Sequence, residues 1–348
     1  MDIAKIFFPT TIAFIIGILI TPFLSNFLYK NKMWKKKSVA VATDGGVASI
    51  TQSLHNDEEK RTPRMGGIII WLSALITILL FWFGSHLGLP ILTKLNFLSR
   101  NQTWLPIFTL IVGALIGLID DYMSITENYD QKAGGLSSKK RLLAVFIISL
   151  IGAWWFYSKL EMTEIIIPFV GVWNAGILFI IFLIVVTLGT YSGGVIDGLD
   201  GLSGGVFGII FGAYGLIAAL QNQIDLSAFC FVLVGGLLAF LWFNIPPARF
   251  YMSETGTMAL TITLVVVAFL TQQVLILPII AFPLVVSSAS SIIQLLSKKF
   301  RNGKKVFLVA PLHHHFQALG WPATKVVMRY WVISIICATL GVIIVLIG

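Results

Sequence analysis

Seven carboxylates and three histidines stand in short polar breaks between long apolar runs. They are Asp120, Asp121, Glu127, Asp130, Asp197, Asp200 and Glu254, with His313, His314 and His315. A charged side chain near hydrocarbon costs about 2.5–3.5 kcal/mol at a helix centre, so a chain that gathers such groups has a use for them. Asp120 and Asp121 follow LIVGALIGLI directly. Adjacent carboxylates suit Mg²⁺, which takes one or two of them and completes its shell with water and phosphate oxygens; the plain alternative is a solvated helix end. Asp197 and Asp200 lie in DGLDGLSGG, where glycines let backbone N–H groups approach a ligand and a helix N-terminus favours phosphate. The alternative there is a flexible turn with capping Asp residues. Glu254 either caps the helix expected from about Thr257 or ligates a metal. In PLHHHFQALGW the histidines offer phosphate contacts or acid–base groups with pKa near 6.5. Zinc is the rival, but zinc ligands are usually spaced apart and no Cys is near.

The elements that must carry these residues follow from composition. The 348 residues are 57% hydrophobic and 11% charged, with mean hydropathy +0.92; soluble domains carry about 25% charged residues. The sequence predicts an all-α integral membrane protein, a single polytopic domain over residues 1–348. Runs near 20 residues can span a bilayer. Ten such runs are read at 4–29, 66–84, 104–119, 141–158, 174–192, 203–220, 227–243, 257–271, 273–296 and 327–347. They are long and continuous, so they form helices rather than barrel strands. No cleavable leader pattern opens the chain. Cys230 and Cys337 fall within apolar runs and read as small buried hydrophobes.

Ten spans put both termini on one side. All but four of the 24 Lys and Arg residues fall in the breaks around 30–65, 120–141, 244–256 and 297–329; the exceptions are Lys5, Lys94, Arg100 and Lys159. The positive-inside rule places those breaks in the cytoplasm and both termini outside. The net charge of +9 then belongs to the cytoplasmic face, which suits anionic lipids and substrates. Carboxylates and histidines thus share one face, the set that metal-assisted phosphoryl transfer requires. A transporter would hold its charges in mid-span. No nucleic-acid partner is expected.

Six motifs in order carry a resemblance: TPRMGG, GLIDDY, GLSSKKR, DGLDGLSGG, NIPPARFYMSETG and PLHHHFQALGW. Over most of its length the chain resembles the phospho-N-acetylmuramoyl-pentapeptide transferase family, within the polyprenyl-phosphate N-acetylhexosamine-1-phosphate transferase superfamily. The resemblance implies transfer of phospho-MurNAc-pentapeptide from UDP-MurNAc-pentapeptide to undecaprenyl phosphate, giving lipid I and UMP. It also implies Mg²⁺, ten helices, a cytoplasmic active-site cleft, a homodimer and the bacterial inner membrane. By the same resemblance Asp120, Asp121, Asp197 and His313 are catalytic, with Asp120 and Asp121 as base or metal-positioning groups. Glu254 joins them at the metal, and Lys60, Asp200, Asn244, Tyr251 and His314 bind substrate. A superfamily member using another donor, such as UDP-GlcNAc, is the nearest alternative, and a transporter or inactive scaffold the more distant one. Four positions depart from the family pattern. Arg64 stands where Thr is usual, Ser124 where Lys is usual, Gly194 where Asn is usual, and Glu254 where Asp is usual. Tyr251 replaces a common Phe. The extra methylene of Glu254 extends its carboxylate by about 1.5 Å.

Overall fold

The computed structural model describes residues 2–34, 61–126 and 135–348. Lys60, Glu127 and Asp130 lie outside the described residues. In chain order the helices are α1 (Asp2–Lys30), α2 (Ile68–His86), α3 (Pro90–Leu95), α4 (Trp104–Thr126), α5 (Ser138–Lys159), α6 (Leu178–Ser192), α7 (Leu202–Leu220), α8 (Ile224–Asn244), α9 (Ser253–Leu270), α10 (Leu277–Ile280), α11 (Phe282–Phe300), α12 (Leu312–Ala318) and α13 (Ala323–Ile347). Among the described residues nine are long and apolar enough to cross a membrane, and ten if a bent pair counts as one span. The chain is a multi-pass helical membrane protein. Helices follow because a segment in hydrocarbon must pair every N–H and C=O within itself.

Helix α9 is the axis of the bundle. Every residue of Ser253–Leu270 except Glu254 is buried, and α4, α6, α2, α7 and α5 pack around it. Between lipid-immersed helices little hydrophobic force acts, so close approach and interhelical hydrogen bonds hold them. Both occur where α4 meets α9. A side chain at Gly117 would strike the Glu254 carbonyl. Deeper in, Thr109 Oγ1 and Thr263 Oγ1 lie 3.4 Å apart, a bond worth about 0.6 kcal/mol in such a setting.

Four expectations are corrected. The run 273–296 is not one helix: Val274–Ile280 and Phe282–Phe300 are bent by 80°, with Pro278 and Pro283 at the junction removing backbone donors. Helix α4 runs past residue 119 to Thr126, so Asp120 and Asp121 lie within it. The helix expected near Thr257 begins at Ser253. A two-stranded antiparallel hairpin, β1 (Glu164–Ile167) with β2 (Gly171–Asn174), precedes α6 in register Glu164↔Asn174.

Helix α11 positions the histidine helix. Its buried face includes Leu284, Ser287, Ser290, Gln294 and Ser297. Gln294 Oε1 accepts the N–H groups of Val306 and Phe307, both at 3.0 Å. Ser290 Oγ accepts the Leu312 N–H at 3.0 Å. The return loop and the start of α12 are thereby tied to α11.

Candidate active site

The first turn of α9 is where the carboxylates meet. Its free backbone donors are taken by two acids from other elements. Asp121 Oδ2, from α4, accepts the Thr255 N–H at 2.9 Å. Asp197 Oδ2, from the turn after α6, accepts the Ser253 N–H at 2.8 Å. Ser253 holds φ +58°, a left-handed conformation uncommon for a residue with a side chain. Asp197 Oδ1 accepts from Ser203 Oγ at 2.7 Å. Burial pushes the Asp197 carboxyl above the usual range, opposed by the bonds from Ser203 and Ser253.

Arg141, at the start of α5, bridges the other two acids. Its Nε donates to Asp120 Oδ1 at 3.0 Å and its Nη1 to Glu254 Oε1 at 2.9 Å. Asp120 Oδ1 also accepts the Leu136 N–H at 2.6 Å, and Thr257 Oγ1 lies 3.4 Å from Glu254 Oε2. Asp120 and Asp121 are fully buried. A buried charge is tolerated only when paired and hydrogen-bonded, and Arg141 supplies that for Asp120.

The histidines reach this cluster through the DGLDG turn. A side chain at Gly198 would strike Nε2 of His313 and come within 2.8 Å of Nε2 of His314; only glycine allows the contact. His313 is buried with no hydrogen-bond partner on either ring nitrogen among the described residues. Burial, then the neighbouring His314, holds its imidazole well below the ordinary range, so His313 is neutral. His314 Nδ1 lies 2.8 Å from Gln317 Oε1, and His315 Nδ1 accepts the Leu308 N–H at 3.2 Å. The three histidines therefore have separate surroundings, and only the first two face the turn.

The remaining candidates frame the cluster. Tyr251 pairs by backbone with the TPRMGG segment: its N–H donates to Pro63 O at 2.9 Å and its carbonyl accepts the Gly66 N–H at 2.8 Å. Asp200 Oδ2 accepts the Ala248 N–H at 3.0 Å. Asn244, expected at substrate, has its amide engaged by the protein. Its Oδ1 accepts the Gly201 N–H at 2.9 Å and its Nδ2 donates to Phe250 O at 2.8 Å, which ties the DGLDG turn to the break after α8.

Among the described residues no group of three or more His, Cys, Asp or Glu side chains stands ready to hold a metal ion. Glu254, expected at the metal, is instead engaged by Arg141 and Thr257. The acidic pair does fit a divalent cation. Asp120 Oδ2 and Asp121 Oδ1 are buried oxygens without a hydrogen-bond partner among the described residues, and Mg²⁺ asks for only one or two carboxylates plus phosphate and water.

Comparison with known proteins gives this cluster a context. Residues 103–272, which carry all four acids, match Glycosyl transferase family 4. The phospho-N-acetylmuramoyl-pentapeptide-transferase of Anoxybacillus flavithermus is 32% identical over 346 residues, 98% of each chain. Those of Bacillus anthracis and Caldanaerobacter subterraneus are each 34% identical, over 95% and 96% of both chains respectively. The chain belongs to the phospho-N-acetylmuramoyl-pentapeptide-transferase family.

The four positions expected to depart from the transferase family pattern fall into two neighbouring sets. Arg64 Nη1 donates to Ser124 Oγ at 3.2 Å, so the cation and the small hydroxyl touch. A side chain at Gly194 would meet Thr257 at 3.4 Å, the residue beside Glu254 Oε2. Sequence reasoning missed Arg141, Ser203 and the donors of Ser253 and Thr255. Arg141 had a signal, being the one guanidinium in the break after α4.

Proposed function

We propose that the protein transfers phospho-MurNAc-pentapeptide from UDP-MurNAc-pentapeptide to undecaprenyl phosphate, giving lipid I and UMP in peptidoglycan synthesis. Family membership over nearly the whole chain supports this reaction. The observation that carries the assignment to this site is the meeting of Asp121 and Asp197 at the first turn of α9, beside the His313-lined turn.

An oxygen of the lipid phosphate forms a bond to the β-phosphorus of the donor. The bond from that phosphorus to the bridging oxygen breaks, and UMP leaves with that oxygen. Asp120 and Asp121 would hold Mg²⁺, which when bound would supply positive charge to the diphosphate oxygens. Neutral His313 offers one ring N–H donor and one acceptor, so it positions a phosphate oxygen or takes a proton without bringing permanent charge. Arg141 pairs with Asp120 and Glu254 and fixes their positions. The site faces the cytoplasm of a bacterial inner membrane, as the Lys and Arg distribution supports, and the enzyme works as a homodimer, as the family resemblance implies.

Purified protein in detergent with Mg²⁺ and undecaprenyl phosphate should release UMP from UDP-MurNAc-pentapeptide and far less from UDP-GlcNAc. Asp121→Asn and His313→Ala should each lower the rate by at least about a hundredfold while eluting as folded protein. Equal turnover of both donors would overturn the donor assignment, and full activity in either variant would remove that residue from the chemistry.

A further inference from the structure

Four carboxylates meet at this site and two guanidiniums face them, and the two are held very differently. Arg141 is bidentate, tied to Asp120 and Glu254 by short bonds. Arg64 has one side-chain bond among the described residues, the 3.2 Å contact from Nη1 to Ser124 Oγ. Its approach to Asp121 Oδ1 is 3.8 Å, too long for a hydrogen bond. Its charge opposes the burial that raises the Asp197 carboxyl. Asp121 Oδ1 has no hydrogen-bond donor among the described residues, so the arginine is its near cation.

The backbone under Arg64 is rigid. Its own N–H donates to Met33 O at 2.8 Å, Pro63 O accepts from Tyr251, and Gly66 and Gly67 donate to the carbonyls of Tyr251 and Met252. Met65 follows in the left-handed region at φ +71°. A loosely moored guanidinium thus projects from a clamped loop. Its side chain is 29% exposed, and its free N–H groups form the fork that matches phosphate oxygens.

We propose that Arg64, moored on Ser124, stands in for a metal cation at Asp121 in the resting site and moves onto the donor's diphosphate when the substrate binds. A single hydroxyl contact is weak, about 1 kcal/mol net, so the arm leaves readily. A divalent cation on Asp121 repels it, and the incoming phosphates give it a stronger partner. The inference rests on the transferase reading above and adds a residue-specific phosphate contact to it.

The test separates two bindings that a purely structural arginine would change together. Full-length protein in detergent is titrated with MnCl₂ alone, then with UDP at saturating Mn²⁺. In Arg64→Gln, Mn²⁺ should bind several-fold tighter, because a competing cation is gone. UDP should bind roughly ten- to a hundredfold more weakly, the size of a lost charge-assisted hydrogen bond. Ser124→Ala, which removes only the mooring, should tighten Mn²⁺ by less and leave UDP affinity at saturating Mn²⁺ undiminished, and Arg64→Lys should fall between wild type and Arg64→Gln, which preserves the test if Arg64→Gln does not fold. Weakening of both ligands, or no change in either, overturns the arm. A wild-type protein that binds neither Mn²⁺ nor UDP overturns the transferase reading instead.

Discussion

His313 sits against Gly198 with both ring nitrogens unpaired among the described residues, and its proton affinity is depressed by burial. Between its folded pKa and the unfolded value near 6.5, the unfolded chain binds a proton that the folded chain refuses. The stability that comes from keeping it neutral is complete above about pH 6.5 and is lost as pH falls below that. The thermal midpoint should therefore drop between about pH 7.5 and 5.5, and drop less in His313→Asn, measured by differential scanning fluorimetry. Asp197 titrates in the opposite sense, but equally in both proteins, so their difference reports the histidine. Equal slopes would show that His313 titrates normally. At this scale the sequence told most about the acids and histidines, because such types are scarce in an apolar chain. Arg141 and Ser203 escaped notice because a basic residue at a membrane face and a serine in a glycine-rich turn have ordinary explanations.

The elements show why the acids stay together. Helix α4 delivers Asp120 and Asp121, and the close approach at Gly117 lets it lie directly against the first turn of α9. Gly117→Ala places a methyl against the Glu254 carbonyl and should cost about 1–3 kcal/mol by overpacking. It should lower both the melting temperature in detergent and UMP release; an unaltered melting temperature would mean that α4 and α9 slide apart freely. Segment length and hydropathy suffice to make the helices legible. They hide the 80° break near Ala281, since apolar residues continue across Pro278 and Pro283. They also hide the hairpin, because EIII and GVWN fall in and at the edge of a short break between two apolar runs. The meeting of α9's first turn with Asp121 and Asp197 could not be read at all: it pairs residues 134 and 56 positions apart, and no local pattern encodes that.

For the whole molecule, the basic breaks and the site share one proposed face. In spheroplasts, Lys94→Cys should react with an impermeant maleimide, and Lys305→Cys should react only after permeabilisation. Both lysines are exposed, and the native Cys230 and Cys337 lie inside helices. The reverse pattern would turn the protein over and place its chemistry on the wrong side for a cytoplasmic donor. The family was legible because its motifs are spread across the entire chain, whereas the distances between them depended on packing.

Trp331 Nε1, in the last helix, donates to the carbonyl of Gly201 at 3.2 Å, beside the turn that carries Asp197 and Asp200. The final helix thus fastens the turn that lies, along the chain, between the acids of α4 and the histidines of α12. A residue far along the chain from the acids therefore shares in holding them, through a single indole N–H.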